Sequence, residues 1–318
     1  MLVILALLAT LLLATMALVY AMGGAGSSYH LAYLPIILAG FLFYRVGGLV
    51  MGAAAGLLLG PLMPFNALVA APQEPASWLS RLVFFVLAGL LTGQLALLLR
   101  QHMEQLNDAY VYTLYSFASL VAVRDEQVNG HCERTADNSR TVGAALGLTG
   151  RELQALYQAG FLHDVGKVAI PDRILLKAGP LTEQEFQTVR SHTALGADLV
   201  SRGGEEFTPV AQGIRTHHER WDGTGYPASL QGSDIPLFGR ILGVIEVFEA
   251  LTSERPYRKP VGIAQASELL RREAGGHFDP DVVEQFLELL AQGKIAVADE
   301  LPDAALMEKT KDVPPSLR

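Results

Sequence analysis

The chain has 318 residues, 50% of them hydrophobic, and a formal net charge of −8. This balance argues against general nucleic-acid binding, which needs a basic surface, so DNA is not an expected partner. The single cysteine, Cys132, excludes an intramolecular disulfide and suits a reducing cytoplasm. We expect Cys132 to be a small buried helix residue.

Charged side chains are nearly absent from the first 99 residues, which contain only Arg45, Glu74 and Arg81. A stretch of this length with so few charges belongs in a membrane rather than in water. The sequence therefore predicts a transmembrane region over residues 1–100, in contact with membrane lipid, followed by a soluble region.

Four uncharged runs are candidate membrane spans: 1–22, 31–44, 46–64 and 82–99. The second run reaches spanning length only when the residues before it are included, so we predict four spans, with three as the alternative. A signal peptide is the rival interpretation of the first run, but that run lacks the basic start of such peptides.

The arginines give the orientation of these spans. In a four-span arrangement Arg45 and Arg100 lie on the same side, which the positive-inside bias makes cytoplasmic, whereas Arg81 falls on the other side. We predict a multi-pass protein of the cytoplasmic membrane with its soluble domain in the cytoplasm.

The soluble region shows one helical pattern after another. Residues 98–124 continue from the last run without Pro or Gly, and we predict a linker over 101–123 that signals or dimerises, with a plain connector as the alternative. Two capping boxes, Thr149 with Glu152 and Thr182 with Glu185, predict helix starts. Residues 264–274 and 281–292 read as closing helices. The tail 298–318 is predicted to be disordered.

The stretch "RTHHERWDGTGYP" places two histidines, His217 and His218, side by side. Neighbouring helix residues point about 100° apart, so both imidazoles face one site only where a helix ends or bends. Gly223 and Gly225 supply such an irregularity.

A second stretch, "FLHDVGKVAIP", places His163 and Asp164 at a helix end before a glycine. An imidazole beside a carboxylate suits Fe, Mn or Zn, and the two oxygens of Asp164 can bridge two ions. Lys167 follows within reach of a phosphate oxygen. A surface ion pair explains a lone His-Asp pair equally well, but the isolated His131 and His192 add to the set and favour a metal site.

Residues 110–290 resemble the HD-GYP family, a subgroup of the HD phosphohydrolase superfamily. The matching segments run in chain order: "GHCERT", "HDVGKVAIPDRIL", "KAGPLTEQEF", His192 with "LGA", "HHERWDGTGYP", "FGRILGVIEVFEALTSERPYRK" and "GGHFDPDVV". The resemblance implies an all-α fold, with N-terminal transmembrane helices, a connecting helix and an HD-GYP domain over residues 110–297. It also implies hydrolysis of cyclic di-GMP, a bacterial second messenger, at the inner membrane.

The resemblance also implies roles for individual residues. The metal ligands it implies are His131, His163, Asp164, His192, His217, His218 and Glu246. Asp164 and Lys167 are the implied catalytic residues, and the implied phosphate contacts are Lys167, Arg255 and Arg258. The signature loop comprises Asp222, Gly223, Gly225, Tyr226 and Pro227, and it is also implicated in contacts with a diguanylate cyclase. A homodimer through the linker helix is expected as well.

Phosphodiester chemistry agrees with this assignment. Two ions about 3.5–4 Å apart neutralise the anion and lower the pKa of a water molecule, so that a metal-activated hydroxide attacks phosphorus. We expect two divalent ions, Fe or Mn, and the product pGpG, GMP or both. Lys167 and the arginines then stabilise charge on the equatorial oxygens, although an ordinary solvated basic run is the alternative for Arg255 and Arg258.

Three departures from the family pattern limit the transfer. Gln127 stands where some members have a glutamate that binds a third metal, so no third ion is expected. Glu246 and Glu249 replace the usual aspartates, and the longer arm of Glu246 leaves a second reading open. In that reading the chain is a catalytically weak cyclic di-GMP receptor or interaction module. A hydrolase of another cyclic dinucleotide is the other alternative. His277 replaces a glutamine and is read as structural.

Overall fold

A computed structural model describes residues 1–22, 28–62, 65–66, 71–72, 74–125, 130–253 and 260–297 of the chain. Helices dominate, so the predicted all-α class is confirmed. Within the described residues the strands are one antiparallel pair, β1 (Phe65–Asn66) and β2 (Ala71–Pro72). The chain divides into two compact units, Met1–Asp108 and Ala109–Arg318.

The described helices follow in chain order: α1 (Leu2–Ala21), α2 (Tyr33–Leu58), α3 (Pro75–Arg124), α4 (His131–Ala145), α5 (Gly150–Leu162), α6 (Asp172–Leu175), α7 (Glu183–Arg190), α8 (His192–Ser201), α9 (Thr208–Thr216), α10 (Leu237–Thr252), α11 (Ile263–Glu273) and α12 (Pro280–Ala291). Both predicted capping boxes are present, at the starts of α5 and α7. The two predicted closing helices are α11 and α12.

Three helical stretches of the described chain are long and apolar enough to cross a membrane: Leu2–Ala21, Ser28–Leu58 and Pro75–Arg124. This count agrees with the three-span alternative and differs from the four spans that the sequence favoured. The second and third predicted spans, 31–44 and 46–64, are separated only by Arg45, and both fall largely in α2. The three stretches are consistent with a membrane protein.

Helix α2 is interrupted at Phe43 and Tyr44, where the backbone leaves helical values. The arm before the interruption runs parallel to α3, because Tyr33 neighbours Phe85 and Gly40 neighbours Thr92. The arm after it runs antiparallel to α3, because Gly48 neighbours Gly89 and Gly56 neighbours Leu82. The interruption therefore reverses the chain. The arms are about 15 and about 21 Å long at 1.5 Å per residue, so each alone is short of the ~30 Å hydrocarbon core.

The second arm of α2 packs on α3 through glycines. A Cβ atom added at Gly48 would overlap the carbonyl of Gly89, and one added at Gly89 would overlap the carbonyl of Gly48. Small residues at such contacts let membrane helices approach closely, which is where their packing energy comes from. Any larger residue at either position would force the two helices apart.

The reversal in α2 places two of the arginines used for orientation near each other along α3. Arg45 donates a hydrogen bond to Gln94, and Arg100 donates one to the hydroxyl of Tyr44. Arg45 and Arg100 therefore lie toward the same end of this unit. Arg81 lies about 29 Å from Arg100 along the helix. The assignment of the arginine side to the cytoplasm stays a prediction.

Helix α3 continues without a break to Arg124, so the predicted helical continuation through 98–124 is confirmed. Its dimerising role stays a prediction. The end of α3 joins α4, α5, α8 and α9 in one apolar cluster of the second unit, which includes Leu114, Cys132, Ala159, Val200 and Ile214. Cys132 is buried in α4, as expected, and burial raises the pKa of its thiol to about 12.

A second apolar cluster packs α10 against α11 and α12, and it includes Val244, Phe248, Leu270, Val283 and Phe286. Between them the two clusters fix α4, α5, α8, α9 and α10 relative to one another. Four of these helices have a histidine at or next to one end, and α10 has Glu246 on its face. The apolar core thereby sets the positions of the side chains described next.

Candidate metal centre

The candidate ligands come mostly from helix ends. His131 begins α4, His192 begins α8, His163 follows the last residue of α5, and His217 follows the last residue of α9. The four helix ends meet, so neighbouring rings lie close together: the centroids are 5.2 Å apart for His131 and His163, 5.5 Å for His163 and His217, and 5.3 Å for His192 and His217. The adjacent histidines lie where α9 ends, as the sequence required for both to face one site.

We call His131, His163 and Asp164 the first group. Their candidate ligand atoms all lie within 4.8 Å of one another, and all three residues are buried. His131 Nε2 and His163 Nε2 are 3.4 Å apart, and His163 Nε2 is 3.3 Å from Asp164 Oδ2. One imidazole-rich cluster of this size has the donors of a single cation site.

We call His192, His217 and His218 the second group, whose ligand atoms also lie within 4.8 Å of one another. His192 Nε2 and His217 Nε2 are 3.4 Å apart. Glu246, on the face of α10, lies at the edge of this group: its Oε2 is 3.7 Å from His218 Nδ1 and 3.9 Å from His217 Nε2. The seven predicted ligands are therefore brought together, six of them in the two groups.

Asp164 connects the two groups. Its Oδ2 lies 3.3 Å from His163 Nε2 in the first group, and its Oδ1 lies 3.4 Å from His192 Nε2 in the second. Burial alone would raise the pKa of Asp164, but the charge of Lys167 and the interaction with His163 outweigh it and hold the pKa well below its ordinary value. The carboxylate therefore stays anionic with one oxygen toward each group.

Backbone carbonyls fix the tautomers of three histidines. In each, Nδ1 lies within hydrogen-bond distance of the carbonyl oxygen three residues earlier: His163 to Gly160 at 2.8 Å, His192 to Val189 at 2.7 Å and His217 to Ile214 at 2.6 Å. A carbonyl oxygen only accepts, so Nδ1 carries the proton in a neutral ring. The lone pair is then on Nε2, and this is how metal-binding histidines are oriented.

The facing Nε2 atoms of His192 and His217 show that these residues fit a cation. Burial, with the neighbouring His218, lowers the pKa of His217 well below its ordinary value, and burial also lowers the pKa of His192. Both rings are therefore neutral, and two lone pairs point at each other across 3.4 Å. Neutral, deprotonated donors are the form in which imidazoles bind metal, and a cation between them removes the repulsion.

A buried ion pair lies next to His131 of the first group. Arg134 Nη2 donates to Glu249 Oε2 at 3.0 Å, and the same oxygen is 3.7 Å from His131 Nδ1. Burial would raise the pKa of Glu249, but the neighbouring His131 and the hydrogen bonds from Arg134 lower it below its ordinary value. An anionic carboxylate behind an imidazole orients the ring and strengthens its donor atom.

Sequence reasoning noted Glu249 only as a departure from the family pattern and missed this contact. The signal was present, because Glu246 and Glu249 are three residues apart and share one face of α10. Arg134, three residues after His131 on α4, gave no comparable signal. Its partner lies 115 residues away in the sequence.

Lys167 lies beside Asp164. Its Nζ donates to Asp164 Oδ2 and to Asp125 Oδ2, each at 2.8 Å. Burial alone would lower the pKa of Lys167, but the two carboxylates raise it above its ordinary value, so the ammonium is charged. Asp125 was not predicted from the sequence. It directly follows the last residue of α3, Arg124, which donates to the Ile170 carbonyl at 2.6 Å.

The signature loop contacts the second group through Tyr226, whose ring stacks on His218 with centroids 4.9 Å apart. Asp222 accepts a hydrogen bond from the Thr224 amide, and Gly223 has a φ of 81°, which favours glycine. A side chain at Gly225 would overlap the backbone of Glu219 and Arg220. The Tyr226–Pro227 bond is cis.

Buried Glu219 holds this loop, because its carboxylate accepts from the amides of Ala228 and Leu230. The backbone carbonyl of His277 accepts from the Trp221 amide, and its ring stacks on Phe278. These contacts agree with the structural reading of His277. Three predicted positions, Gln127, Arg255 and Arg258, lie outside the described residues, as does the tail 298–318.

Comparison with known proteins places the chain in a family. Residues 116–282, more than half of the chain, match the model of the HD domain, and the chain belongs to the HD domain family. The resemblance to the HD-GYP type that was drawn from the sequence is confirmed by its curated relatives. Membership defines the fold and the type of site.

Three curated relatives are similar to a large part of this chain. A cyclic di-GMP phosphodiesterase of Vibrio cholerae is 36% identical over 230 residues, which cover 68% of this chain and 46% of the relative. A 3'3'-cGAMP-specific phosphodiesterase of the same organism is 39% identical over 63% of this chain and 38% of its own length. A cyclic di-GMP phosphodiesterase of Thermotoga maritima is 37% identical over 59% and 50%. The matched region thus spans about half of these relatives or less.

Proposed function

We propose that this chain is a membrane-anchored phosphodiesterase that uses divalent metal ions to hydrolyse cyclic di-GMP. The position of Asp164 carries the proposal, because its two oxygens lie 3.3 Å from His163 Nε2 and 3.4 Å from His192 Nε2. A carboxylate between two imidazole groups is the arrangement that a bridged pair of ions requires. Such pairs serve in-line displacement at phosphorus.

Bound ions would neutralise the phosphodiester and supply a nucleophile near neutral pH. The first group would hold one ion, and the second group with Glu246 would hold the other. Mixed imidazole and carboxylate donors suit iron or manganese. Two ions are proposed rather than three, because Gln127 offers an amide where a third ion would need a carboxylate.

The other side chains act on the substrate. Lys167 is a half-buried, charged ammonium beside Asp164, where it would stabilise negative charge that spreads over the phosphoryl oxygens. Arg255 and Arg258 are proposed from the family resemblance as further phosphate contacts. Tyr226 would form the wall of the site over His218. The proposed product is linear pGpG, GMP or both.

The choice of cyclic di-GMP rests on the names of relatives, which include both cyclic di-GMP and 3'3'-cGAMP phosphodiesterases. Hydrolysis of another cyclic dinucleotide is the second enzymatic candidate. A receptor that binds without turnover is the candidate from another class. One observation favours the receptor. Glu246 lies at the edge of the second group, 3.7 Å from His218 Nδ1 and 3.9 Å from His217 Nε2.

A second copy of the chain is the proposed partner along α3, with the domain facing the cytoplasm from the inner membrane. Five large apolar side chains fall on one repeat of alternating three and four residues and are 45% to 66% exposed, with Tyr110 and Thr113 at the two positions between them: Leu99, Met103, Leu106, Phe117 and Leu120. This spacing is typical of a coiled-coil seam. Crosslinking of the full chain in membranes tests the dimer.

A diguanylate cyclase is the partner proposed for the signature loop.

The experiment for the proposed function uses the full chain, purified in detergent without oxygen. Metal content is determined on the same sample in which hydrolysis of cyclic di-GMP and of 3'3'-cGAMP is followed. We expect two divalent ions per chain and faster hydrolysis of cyclic di-GMP. Tight binding of cyclic di-GMP by the metal-loaded chain without any product would establish the receptor instead.

A further inference from the structure

Arg190 is the last residue of α7 and lies two residues before His192 of the second group. Its guanidinium carbon is 4.5 Å from the centroid of the Phe186 ring and 4.7 Å from that of the Tyr226 ring. Tyr226 in turn stacks on His218 at 4.9 Å. The guanidinium is therefore separated from the second group by a single aromatic ring.

The side chain of Arg190 has no polar partner in the part of the chain that the structure describes. Its Nε is buried and makes no hydrogen bond, and no described carboxylate forms an ion pair with it. The other cations around the centre differ, because Lys167 contacts two carboxylates and Arg134 contacts Glu249. A buried donor without an acceptor costs free energy, so it marks the place of a missing partner.

The contacts of Arg190 also indicate which partner is missing. Two aromatic rings hold the guanidinium through its π system and leave its N–H groups unused. The fork of N–H donors matches two oxygens of one phosphate, and such charge-assisted bonds are stronger than neutral ones. A cyclic dinucleotide carries two phosphates, and only one of them is at the reacting position at a time.

We propose that Arg190, held by Phe186 and Tyr226, binds the second, non-reacting phosphate of a cyclic dinucleotide. The inference rests on the proposed function and assigns to it a binding residue that lies outside the metal ligands. The signature tyrosine gains a role as well. Because Tyr226 contacts His218 and the guanidinium alike, it fixes the distance between the second group and the phosphate subsite.

The test compares two substrates of the metal-loaded full chain. Cyclic di-GMP has a second phosphate, whereas bis(p-nitrophenyl) phosphate has one phosphodiester and neither a second phosphate nor a base. We expect Arg190→Ala to lower kcat/KM for cyclic di-GMP about ten- to a hundredfold, the size of a lost hydrogen bond to a charged group. For bis(p-nitrophenyl) phosphate the value should stay within about twofold of wild type. Arg190→Lys should lie in between, because an ammonium keeps the charge without the fork.

Arg140→Ala is the matched control, because Arg140 also lies over a ring, Tyr157, but on the far part of α4. It should change neither substrate. Metal content is measured in every variant, since Arg190 is close in sequence to His192. An equal loss on both substrates, or no loss on cyclic di-GMP, would overturn the subsite.

A third substrate separates a phosphate from a guanine edge, which offers a similar pair of acceptors. Phosphate binding predicts the same loss for cyclic di-GMP and cyclic di-AMP, and a loss confined to cyclic di-GMP would contradict it. If the wild type cleaves no cyclic dinucleotide, the proposed function fails and the subsite is judged by equilibrium binding. Equal affinity of wild type and Arg190→Ala for cyclic di-GMP would then overturn the subsite as well.

Discussion

The two ligand groups differ in how they are enclosed. His131, His163 and Asp164 are all buried, and the ion pair of Arg134 with Glu249 backs the first group from behind. In the second group His192 and His217 are buried, but the side chain of His218 is 26% exposed. Glu246 beside it is 20% exposed.

This difference in enclosure indicates that the two groups have different roles. A closed group with a supporting carboxylate is suited to hold an ion permanently. An open group, bordered by Tyr226 and Glu246, is where a substrate can enter and where ligands can adjust. We therefore expect changes behind the first group to affect metal retention, and changes at the second group to affect turnover.

The largest expected effect comes from the residue that belongs to both groups. Asp164→Ala should abolish hydrolysis and the retention of both ions, because it removes the only carboxylate placed between the imidazoles of the described groups. Helix content by circular dichroism should change little. Asp198→Ala is the control, since Asp198 is an exposed aspartate paired with Arg215. Full activity in Asp164→Ala would remove the two-ion account.

Lys167 tests turnover without metal loss. Lys167→Ala should keep both ions and slow hydrolysis of cyclic di-GMP roughly a hundredfold, because charge stabilisation is commonly worth a few kcal/mol. Asp125→Asn should cost much less, since Lys167 keeps its contact with Asp164. Parallel measurement of metal content and kcat decides this. Loss of metal in Lys167→Ala would mean that the lysine supports the ligands rather than the substrate.

The ion pair behind the first group tests stability and metal retention separately. Arg134→Ala leaves Glu249 buried without its main partner, so the free energy of unfolding should fall by about 3–5 kcal/mol. The double variant Arg134→Met with Glu249→Leu should recover most of that stability. It should still hold metal about ten- to a hundredfold more weakly, because His131 loses its supporting carboxylate. Normal metal affinity in the double variant would contradict the supporting role.

The smallest expected effect is at the edge of the second group. Glu246→Asp shortens an arm that already ends 3.7 Å from His218 Nδ1. Catalytic geometry tolerates errors of about half an ångström, so we expect turnover to fall severalfold while binding of cyclic di-GMP is unchanged. A large gain in turnover would show that the natural chain is an impaired enzyme and acts as a receptor.

The sequence predicted the parts of the centre that depend on local pattern. His163 and Asp164 were placed at a helix end because Gly166 follows them, and the paired His217 and His218 required a helix end that the structure has. The capping boxes of α5 and α7 were predicted for the same reason, since a box is a four-residue signal.

What the sequence did not show are contacts between distant residues. Arg134 meets Glu249 across 115 positions, and Lys167 meets Asp125 across 42. Such pairs depend on how the helices pack, and no local period records that packing. The reversal within α2 is similar, because only the contacts with α3 reveal that its two arms run in opposite directions.

Counting metal ions in the wild-type chain tests the central claim most directly. The full chain is purified without oxygen, and its iron and manganese content is determined on the same sample that is assayed for hydrolysis of cyclic di-GMP. The two-group account predicts two divalent ions per chain, with hydrolysis that disappears when a chelator removes them and returns when they are restored. Full hydrolysis by a chain that holds one ion or none would contradict it.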